Sequence, residues 1–207
     1  MAEPEPNLRL IDRFLVMAEF SGIRAVIVWN KADLLRTTPP LSPPTDVVGK
    51  MYQRIGYRNI LTCALTGQGV EALKEMIAGK TSMFIGASGV GKTSLLNQLQ
   101  PGLAQKIAAI SQSTGKGTHA TSTTEIFPLN DDTFIADSPG VREFAMWGVT
   151  HQDLGTCFRE FLPLIANCRF RDCLHDQEVG CAVKEAVEQG VIEWERWDSY
   201  VRILRSI

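Results

Sequence analysis

The sequence predicts an α/β domain, with a mostly parallel sheet and flanking helices, followed by a small helical domain. Strand-length apolar runs alternate with helical patterns over the first two thirds of the 207 residues. One of these runs leads directly into a glycine-rich segment and a further helix, and only helical patterns follow Gly140. We therefore expect the α/β domain over residues 1–146 and the helical domain over residues 147–207.

The first part of the α/β domain contains three predicted helices and two predicted strands. An amphipathic pattern predicts the first helix over residues 7–22. A buried strand is predicted over 23–30 and a second strand over 58–65, and the other helices are predicted over 45–57 and 69–79.

The second part begins with a strand, a glycine-rich loop and a helix over residues 80–100. Residues 111–124 are rich in Ser, Thr and Gly and predict a long loop. The turn Asn130-Asp131-Asp132 between two apolar runs predicts a β-hairpin, and Pro128 places its first strand at a sheet edge. The helical domain is predicted to contain helices over 153–165, 181–190 and 193–207.

The composition excludes several classes of protein. The chain is 44% hydrophobic and 21% charged, with a formal net charge of −2, so it is not a broadly basic nucleic-acid binder, although a local basic patch is compatible with it. Its apolar runs are too short to span a membrane, and its acidic, Pro-rich N-terminus does not have the pattern of a secretory signal. We therefore expect a cytoplasmic protein without a membrane partner.

The glycine-rich segment fits the pattern G-x-x-x-x-G-K-[ST] of a phosphate-binding loop. Backbone N–H groups of such a loop bind the β-phosphate, its lysine reaches the β- and γ-phosphates, and its Ser or Thr hydroxyl binds Mg²⁺. The alternative is a structural turn between strand and helix. Because the strand and the Lys-Thr pair are both present, we predict a nucleotide site formed by Gly86, Ala87, Ser88, Gly89, Val90, Gly91, Lys92, Thr93 and Ser94.

The tetrapeptide Asn30-Lys31-Ala32-Asp33 follows a predicted strand and is typical of guanine recognition. The Asp33 carboxylate can accept from the N1–H and the exocyclic amino group of the base. Asn30 can join the parts of the pocket, and the aliphatic stem of Lys31 can cover the purine face. Asn-x-x-Asp alone is common in turns, so the assignment depends on the neighbouring features.

Three further elements of a guanine-nucleotide site are present, and the first two of them follow other predicted strands. The amide of Cys63 or Ala64 is positioned to donate to the guanine O6 atom. Asp137 and Gly140 match a D-x-x-G element, in which the Asp contacts Mg²⁺ through water and the Gly amide contacts the γ-phosphate. Among the threonines of the preceding loop, we assign Thr121 as the one that binds Mg²⁺.

The order of these elements is unusual, because the base-reading residues precede the phosphate-binding loop. A binding site depends on positions in space, so a cyclic reordering of the connections can leave it intact. A short joint at Gly79 and Lys80 would link the usual last helix to the usual first strand. The sequence therefore predicts a circularly permuted P-loop GTPase domain that binds GTP or GDP with Mg²⁺.

Three of the five cysteines lie close together near the C-terminus, with one histidine among them. Cys₃His is a closed ligand set for structural Zn²⁺, whereas buried structural cysteines or a redox centre are the alternatives. We predict a structural zinc site formed by Cys168, Cys173, His175 and Cys181.

These motifs together resemble the RsgA (YjeQ) family of circularly permuted GTPases of small ribosomal subunit biogenesis. The resemblance covers nearly the whole chain through "NLRLIDRFLV", "NKADLL", "GASGVGKTSLLN", "KGTHATST", "DSPGVREF" and the cysteine–histidine cluster. It implies GTP hydrolysis stimulated by the small (30S) ribosomal subunit and contact with its rRNA, with Mg²⁺ at the nucleotide and one structural Zn²⁺. Family members usually begin with an OB-fold domain, so we expect either a shortened form or a naturally short relative.

Many small GTPases position the attacking water with a Gln just after D-x-x-G, but Val141 occupies that place here. We therefore assign His119 as the residue that positions the water, which the family resemblance also suggests. Two alternatives remain open: a nucleotide-gated placeholder on the ribosome, in which hydrolysis serves only as the release signal, and a P-loop ATPase or kinase. We expect a monomer.

Overall fold

The computed structural model describes residues 6–36, 45–114, 125–137 and 148–207. The strands are β1 Val26–Trp29, β2 Arg58–Leu61, β3 Thr81–Met83, β4 Glu125–Pro128 and β5 Phe134–Asp137. The helices are α1 Leu8–Phe20, α2 Thr45–Arg54, α3 Val70–Ile77, α4 Lys92–Leu99, α5 Leu103–Thr114, α6 His151–Leu154, α7 Leu162–Ile165, α8 Ala182–Glu188 and α9 Trp194–Leu204. No helix in these ranges is both long enough and apolar enough to cross a membrane.

The described residues form two compact units. The first unit contains residues 28–36, 59–114 and 125–137, and the second contains residues 6–27, 45–58 and 148–207. Helices α1 and α2 therefore pack with the C-terminal helices rather than with the strands that they precede in the chain. The predicted domain boundary between residues 146 and 147 lies outside the described residues and stays a prediction.

The strands of the first unit form a two-stranded sheet, β1–β2, and a three-stranded sheet in the order β3–β5–β4. β3 pairs with β5 in parallel, so that Ser82 lies opposite Ile135, and β4 pairs with β5 antiparallel. This confirms the predicted hairpin and the position of Pro128 on an edge strand, where its missing N–H removes no ladder hydrogen bond. The buried residues Leu73, Leu95 and Ile135 belong to the apolar core of this unit.

The turn of the hairpin is shaped by its own side chains. Asn130 Oδ1 accepts hydrogen bonds from the N–H groups of Asp132 and Thr133, at 3.2 and 2.8 Å. The buried Thr133 Oγ1 accepts from the N–H of Gly79 at 2.9 Å, and the carbonyl of Lys80 accepts from the N–H of Phe134. The joint between α3 and β3, at Gly79 and Lys80, is thus held by the hairpin.

Several predicted element bounds are wrong, and β2 for example ends at Leu61 rather than at residue 65. Residues 111–114, which we expected to be in a loop, are the last turn of α5, and no helix was predicted over its length. Helix α5 forms because Leu103 and Ala104 enter the core, while the Asn97 side chain accepts from the Ala104 N–H at 3.1 Å. Residues 115–124 lie outside the described part of the chain.

The single helix predicted over 153–165 is instead two short helices. α6 ends at Leu154 and a 3₁₀ turn follows over Gly155–Cys157, whereas α7 begins only at Leu162. Pro163 lies in the first turn of α7, where its missing N–H is harmless and its fixed φ starts a helix. The segment between the helices places Phe158 and Phe161 in the core of the second unit.

A buried ionic cluster joins three parts of the second unit. Arg196 of α9 is paired with Asp12 of α1 and with Glu160, whose Oε1 lies 2.6 Å from Arg196 Nε. The Tyr52 hydroxyl of α2 donates to Asp12 Oδ1 at 2.6 Å. Arg196 and Asp12 are each only 1% exposed, so this charge pairing occurs inside the core. The guanidinium also lies 4.4 Å from the centroid of the Phe158 ring.

Candidate functional site

The glycine-rich segment lies between β3 and α4, as predicted. Gly89 and Gly91 have φ angles of 80° and 92°, which favour glycine, and helix α4 begins at Lys92 directly after them. The Lys92 ammonium donates to the carbonyl oxygens of Gly86 and Ala87, at 2.6 and 2.7 Å. The lysine side chain therefore lies back along the loop, beside the start of the segment.

Asn30, just after β1, is hydrogen bonded to two other segments of the first unit. Its Nδ2 donates to the carbonyl of Val90 in the glycine-rich loop at 3.0 Å. Its Oδ1 accepts from the N–H of Ala64 at 3.1 Å and from the hydroxyl of Thr62 at 3.2 Å. One side chain thus connects the segment after β1, the segment after β2 and the phosphate-binding loop.

The contact between Asn30 and the loop requires glycine at position 91. A Cβ atom at Gly91 would lie 2.3 Å from Asn30 Nδ2, far inside van der Waals contact. The same residue has a φ of 92°, so both the backbone conformation and the available space favour glycine.

Asp33 lies beside Cys63, although the two residues are 30 positions apart. The Cys63 thiol donates to Asp33 Oδ1 at 3.0 Å. The backbones of the two segments are also joined, because the Ala32 N–H donates to the carbonyl of Thr62 at 3.0 Å. Lys31 has a φ of 67°, which is uncommon for a residue other than glycine and turns the chain sharply between Asn30 and Asp33.

The base-reading and phosphate-binding segments line one cavity of about 120 Å³. Its lining residues are Asn30, Lys31, Asp33, Leu34, Ala64, Leu65, Gly91 and Ser94. The base-reading segments, which come first in the chain, and the phosphate-binding segment, which follows them, therefore line the same small cavity. The cavity is smaller than the roughly 300–1,000 Å³ that encloses a whole drug-sized ligand, so it suits one ring system of a larger ligand.

The two backbone amides that we assigned to guanine O6 have partners within the protein. The Cys63 N–H donates to the carbonyl of Gln68 at 2.9 Å, and the Ala64 N–H donates to Asn30 Oδ1. The carbonyl of Ala64 accepts from Gln98 Nε2 of α4 at 2.8 Å. Donation from either amide to a base stays a prediction.

Sequence reasoning missed Thr62, Leu65 and Gln98 at this site. Thr62 is the polar residue that follows β2, so its place at the strand end could have indicated it. Gln98 lies on α4, six residues after Lys92, and nothing in its sequence context distinguishes it from other polar helix residues.

His119, Thr121 and Gly140 lie outside the described residues. The backbone of Asp137 ends β5, opposite Glu125, and nothing is described of its side chain. Thr93 lies in the first turn of α4 with its side chain exposed.

The four predicted zinc ligands of the second unit lie together. One ligand atom from each of Cys168, Cys173, His175 and Cys181 falls within 4.8 Å of the other three. His175 Nδ1 lies 3.5 Å from Cys168 Sγ and 3.4 Å from Cys181 Sγ. Tetrahedral Zn²⁺ with bonds of about 2.0–2.3 Å places its ligand atoms about 3.5–3.8 Å apart, so the arrangement fits the ion.

The loop that carries His175 is held by a carboxylate. Glu178 Oε1 accepts from the Leu174 N–H, and its Oε2 accepts from the N–H groups of Asp176 and Gln177, at 2.8–3.1 Å. Burial alone would raise the pKa of Glu178, but these backbone donors outweigh it and hold the pKa below its usual value. The carbonyl of His175 accepts from the indole N–H of Trp197 at 2.8 Å.

The protonation chemistry of the cluster suits a cation. Burial lowers the pKa of His175, which favours the neutral imidazole that binds metals. Burial also raises the pKa of the Cys173 thiol to about 12 and that of Cys181 above its usual value. Thiolates in this apolar site would therefore need a positive charge beside them, and Zn²⁺ would supply it.

Comparison with known proteins agrees with this geometry. A family model described as RsgA GTPase matches residues 1–147. The small ribosomal subunit biogenesis GTPase RsgA of Ectopseudomonas mendocina (strain ymp) is 44% identical over 204 residues, which are 99% of this chain and 59% of that protein. The protein of the same name from Moorella thermoacetica (strain ATCC 39073 / JCM 9320) is 42% identical over 207 residues, which are 100% of this chain and 69% of that protein. The chain thus spans between about three fifths and seven tenths of the length of these relatives.

Two solved structures are similar throughout the chain. The crystal structure of YjeQ from Thermotoga maritima has a TM-score of 0.78 and 34% sequence identity, and the match covers 98% of this chain and 66% of that one. YloQ, described as a circularly permuted GTPase, has a TM-score of 0.73 and 29% identity over 100% of this chain and 64% of that one. The predicted permuted GTPase fold is therefore confirmed, and the chain belongs to the RsgA GTPase family.

Proposed function

We propose that this chain binds GTP and GDP, hydrolyses GTP to GDP and phosphate, and acts in late maturation of the small (30S) ribosomal subunit. The observation that carries the proposal is a cavity that is lined both by Asp33 and by Gly91 and Ser94 of the phosphate-binding segment. The printed names of the relatives, which are small ribosomal subunit biogenesis GTPases, support the biological role.

The base is read by Asp33, whose carboxylate accepts from the N1–H and the exocyclic amino group of guanine. The carboxylate has a defined orientation because the Cys63 thiol donates to one of its oxygens. Asn30 fixes the distance between the base-reading segments and the phosphate-binding loop through its hydrogen bonds to Val90 and Ala64. Adenine presents a different edge, with no N1–H to donate, so the site favours guanine.

The triphosphate is bound by the loop over Gly86–Gly91 and by the start of α4, where the helix dipole favours negative charge. Lys92 moves its ammonium from the Gly86 and Ala87 carbonyls to the β- and γ-phosphates. The exposed hydroxyl of Thr93 is a hard oxygen donor in the first turn of α4, and with Asp137 it would hold Mg²⁺. Bound Mg²⁺ would neutralise charge on the phosphate oxygens.

Hydrolysis requires a water molecule in line with the γ-phosphate. The position after the D-x-x-G element is Val141, which cannot orient water, so we assign this role to His119 and keep Thr121 as the loop threonine that would bind Mg²⁺. We therefore expect slow turnover by the free protein and faster turnover on the small subunit and its rRNA.

The second unit carries a structural zinc site formed by Cys168, Cys173, His175 and Cys181. Its support is the closed set of four ligand atoms, with no position left open for a substrate. We further propose that the protein acts as a monomer. We place it in the cytoplasm, where its proposed ribosomal partner would be found.

The test is phosphate release from GTP, measured with and without purified small ribosomal subunits. Wild type should be slow alone and clearly faster with subunits. Lys92→Ala should abolish hydrolysis under both conditions, whereas Lys106→Ala, at an exposed lysine of α5, should behave as wild type. Equal rates with and without subunits would contradict the ribosomal part of the proposal.

Base recognition is tested separately by nucleotide affinity. Asp33→Asn should weaken GDP binding by at least about thirtyfold, because one acceptor oxygen becomes an N–H donor that faces a donor of the base and the other loses its negative charge. The substitution should leave any weak ATP binding unchanged. Asp131→Asn, at an exposed position in the hairpin turn, is the matched control. Preference of the wild-type protein for ATP would overturn the assignment in favour of an ATPase or kinase.

A further inference from the structure

The turn that carries His175 forms around the side chain of Glu178. Three backbone N–H groups donate to this carboxylate at 2.8–3.1 Å, and they belong to Leu174, Asp176 and Gln177. Those of Leu174 and Asp176 flank His175 in the chain. Both carboxylate oxygens accept from these donors, and Glu178 is not among the four residues whose ligand atoms lie together. Glu178 therefore acts on the turn rather than on an ion.

His175 has an unusual backbone conformation. Its φ angle is 57°, in the left-handed region that residues other than glycine rarely adopt. Such a conformation persists where the surrounding contacts determine it. Glu178 binds the N–H groups of the turn, whereas α9 binds its carbonyl groups. The carbonyl of His175 accepts from the indole N–H of Trp197 at 2.8 Å, and the carbonyl of Leu174 accepts from the hydroxyl of Tyr200 at 2.7 Å.

The imidazole ring of His175 is also confined. The ring of Phe161 contacts it, with centroids 5.8 Å apart and an interplanar angle of 81°. A Cβ atom at Gly155 would lie 3.2 Å from His175 Nε2, so the glycine leaves the space that the ring needs. Nδ1 lies 3.5 and 3.4 Å from the Sγ atoms of Cys168 and Cys181. The orientation of Nδ1 toward the thiols thus depends on the turn that carries the residue.

We propose that Glu178 is a positioning residue for the metal site, which holds the turn at His175 in the conformation that presents Nδ1 to the ion. The inference rests on the proposed zinc site of the second unit. The hydrogen bonds of the turn join groups that do not bind the ion, so they favour this conformation whether or not an ion is bound. Part of the conformational entropy that metal binding would cost is therefore lost already on folding, and Zn²⁺ binds more tightly.

The experiment measures the affinity of the full chain for Zn²⁺ and Co²⁺ by competition with a chelator, together with the absorption spectrum of bound Co²⁺. Glu178→Ala should weaken the binding of both ions by about ten- to hundredfold, the range typical of groups that support metal ligands. It should also change the d–d bands of Co²⁺, because His175 is no longer held in one orientation. Glu178→Gln, which keeps the shape and one acceptor oxygen, should bind Co²⁺ more tightly than Glu178→Ala and more weakly than wild type. Glu188→Ala, at an exposed acidic residue of α8, is the matched control and should behave as wild type.

A core variant distinguishes positioning from a general loss of stability. Val16→Ala, at a 1% exposed residue of α1 in the same core, should lower the melting temperature but keep the Co²⁺ affinity and spectrum of wild type.

Two results would overturn the inference. The first is wild-type Co²⁺ affinity and spectrum in Glu178→Ala or, where that variant does not fold, in Glu178→Gln. The second is an equal loss of Co²⁺ affinity in Val16→Ala at the same loss of melting temperature. Failure of the wild-type protein to bind Co²⁺ or Zn²⁺ would overturn the proposed zinc site, and this inference with it.

Discussion

Gly91→Ala tests whether the contact between the phosphate-binding loop and Asn30 organises the nucleotide site. The substitution has two separate effects. A non-glycine residue at a φ of 92° costs about 1–2 kcal/mol in backbone strain. The new Cβ would also displace Asn30, whose Nδ2 it would approach to 2.3 Å.

Displacing Asn30 breaks its hydrogen bonds to Val90, Thr62 and Ala64. Each such bond contributes about 0.5–1.5 kcal/mol to the free energy of unfolding. The displacement of Asn30 should therefore lower this free energy by about 1.5–4.5 kcal/mol in addition to the backbone strain. The matched control is Gly102→Ala in the same unit. Gly102 has a φ of 79° and no atom within 4 Å of its added Cβ, so this variant carries only the strain.

The measurements are the free energy of unfolding in urea without nucleotide and the affinity for GDP by calorimetry. Gly91→Ala should lose at least about 1.5 kcal/mol more stability than Gly102→Ala. It should also bind GDP at least about tenfold more weakly, because Asn30 no longer holds the base-reading segments beside the loop. Equal losses of stability in the two variants, with GDP affinity retained in both, would refute the reasoning.

Three further predictions concern the second unit. Arg196→Ala should lower the free energy of unfolding, measured by urea titration, by about 3–5 kcal/mol, because it leaves two carboxylates without their buried partner. Arg202→Ala, at an exposed i,i+4 pair on the same helix, is the control and should lower the same free energy by less than about 0.5 kcal/mol. Hydrogen bonds from Thr150 hold the pKa of Asp153 below its usual value. The ionised Asp153 carboxylate therefore contributes to stability above about pH 4, and this contribution is lost as the pH falls through the lowered pKa. The difference in melting temperature between wild type and Asp153→Asn should shrink as the pH falls below about 4, and a constant difference from pH 3 to 7 would contradict this. Cys181→Ser should reduce bound zinc, measured by atomic absorption, and lower the melting temperature of the second unit, and stoichiometric zinc in this variant would argue against the four-ligand site.

Features with a local cause could be predicted from the sequence. The phosphate-binding loop follows from the glycines that permit positive φ and from the Lys-Thr pair that begins α4. The hairpin follows from Asn130, whose side chain makes the turn through its own hydrogen bonds. The metal cluster could be predicted because all four ligands lie within one segment of 14 residues.

Features that depend on distant packing could not be predicted in this way. The amphipathic pattern of α1 shows which face is apolar, but not that α9 rather than the sheet covers it. Asp12 and Arg196 look like ordinary surface charges, and only their mutual contact makes burial tolerable. Leu65 was likewise invisible as a site residue, because a turn leucine carries no chemical signature until its neighbours are placed.

The interleaving of the two units has a practical consequence for anyone who wishes to dissect this protein. Because α1 and α2 belong with the C-terminal helices, no single cut yields both halves intact. A fragment beginning at residue 148 would retain Arg196 and Glu160 but lose Asp12 and Tyr52. The core residues that pack against α1 and α2 would then be exposed to solvent. Isolating the metal-carrying half would therefore require a new linker that joins the segments of α1 and α2 to the segment that begins at residue 148.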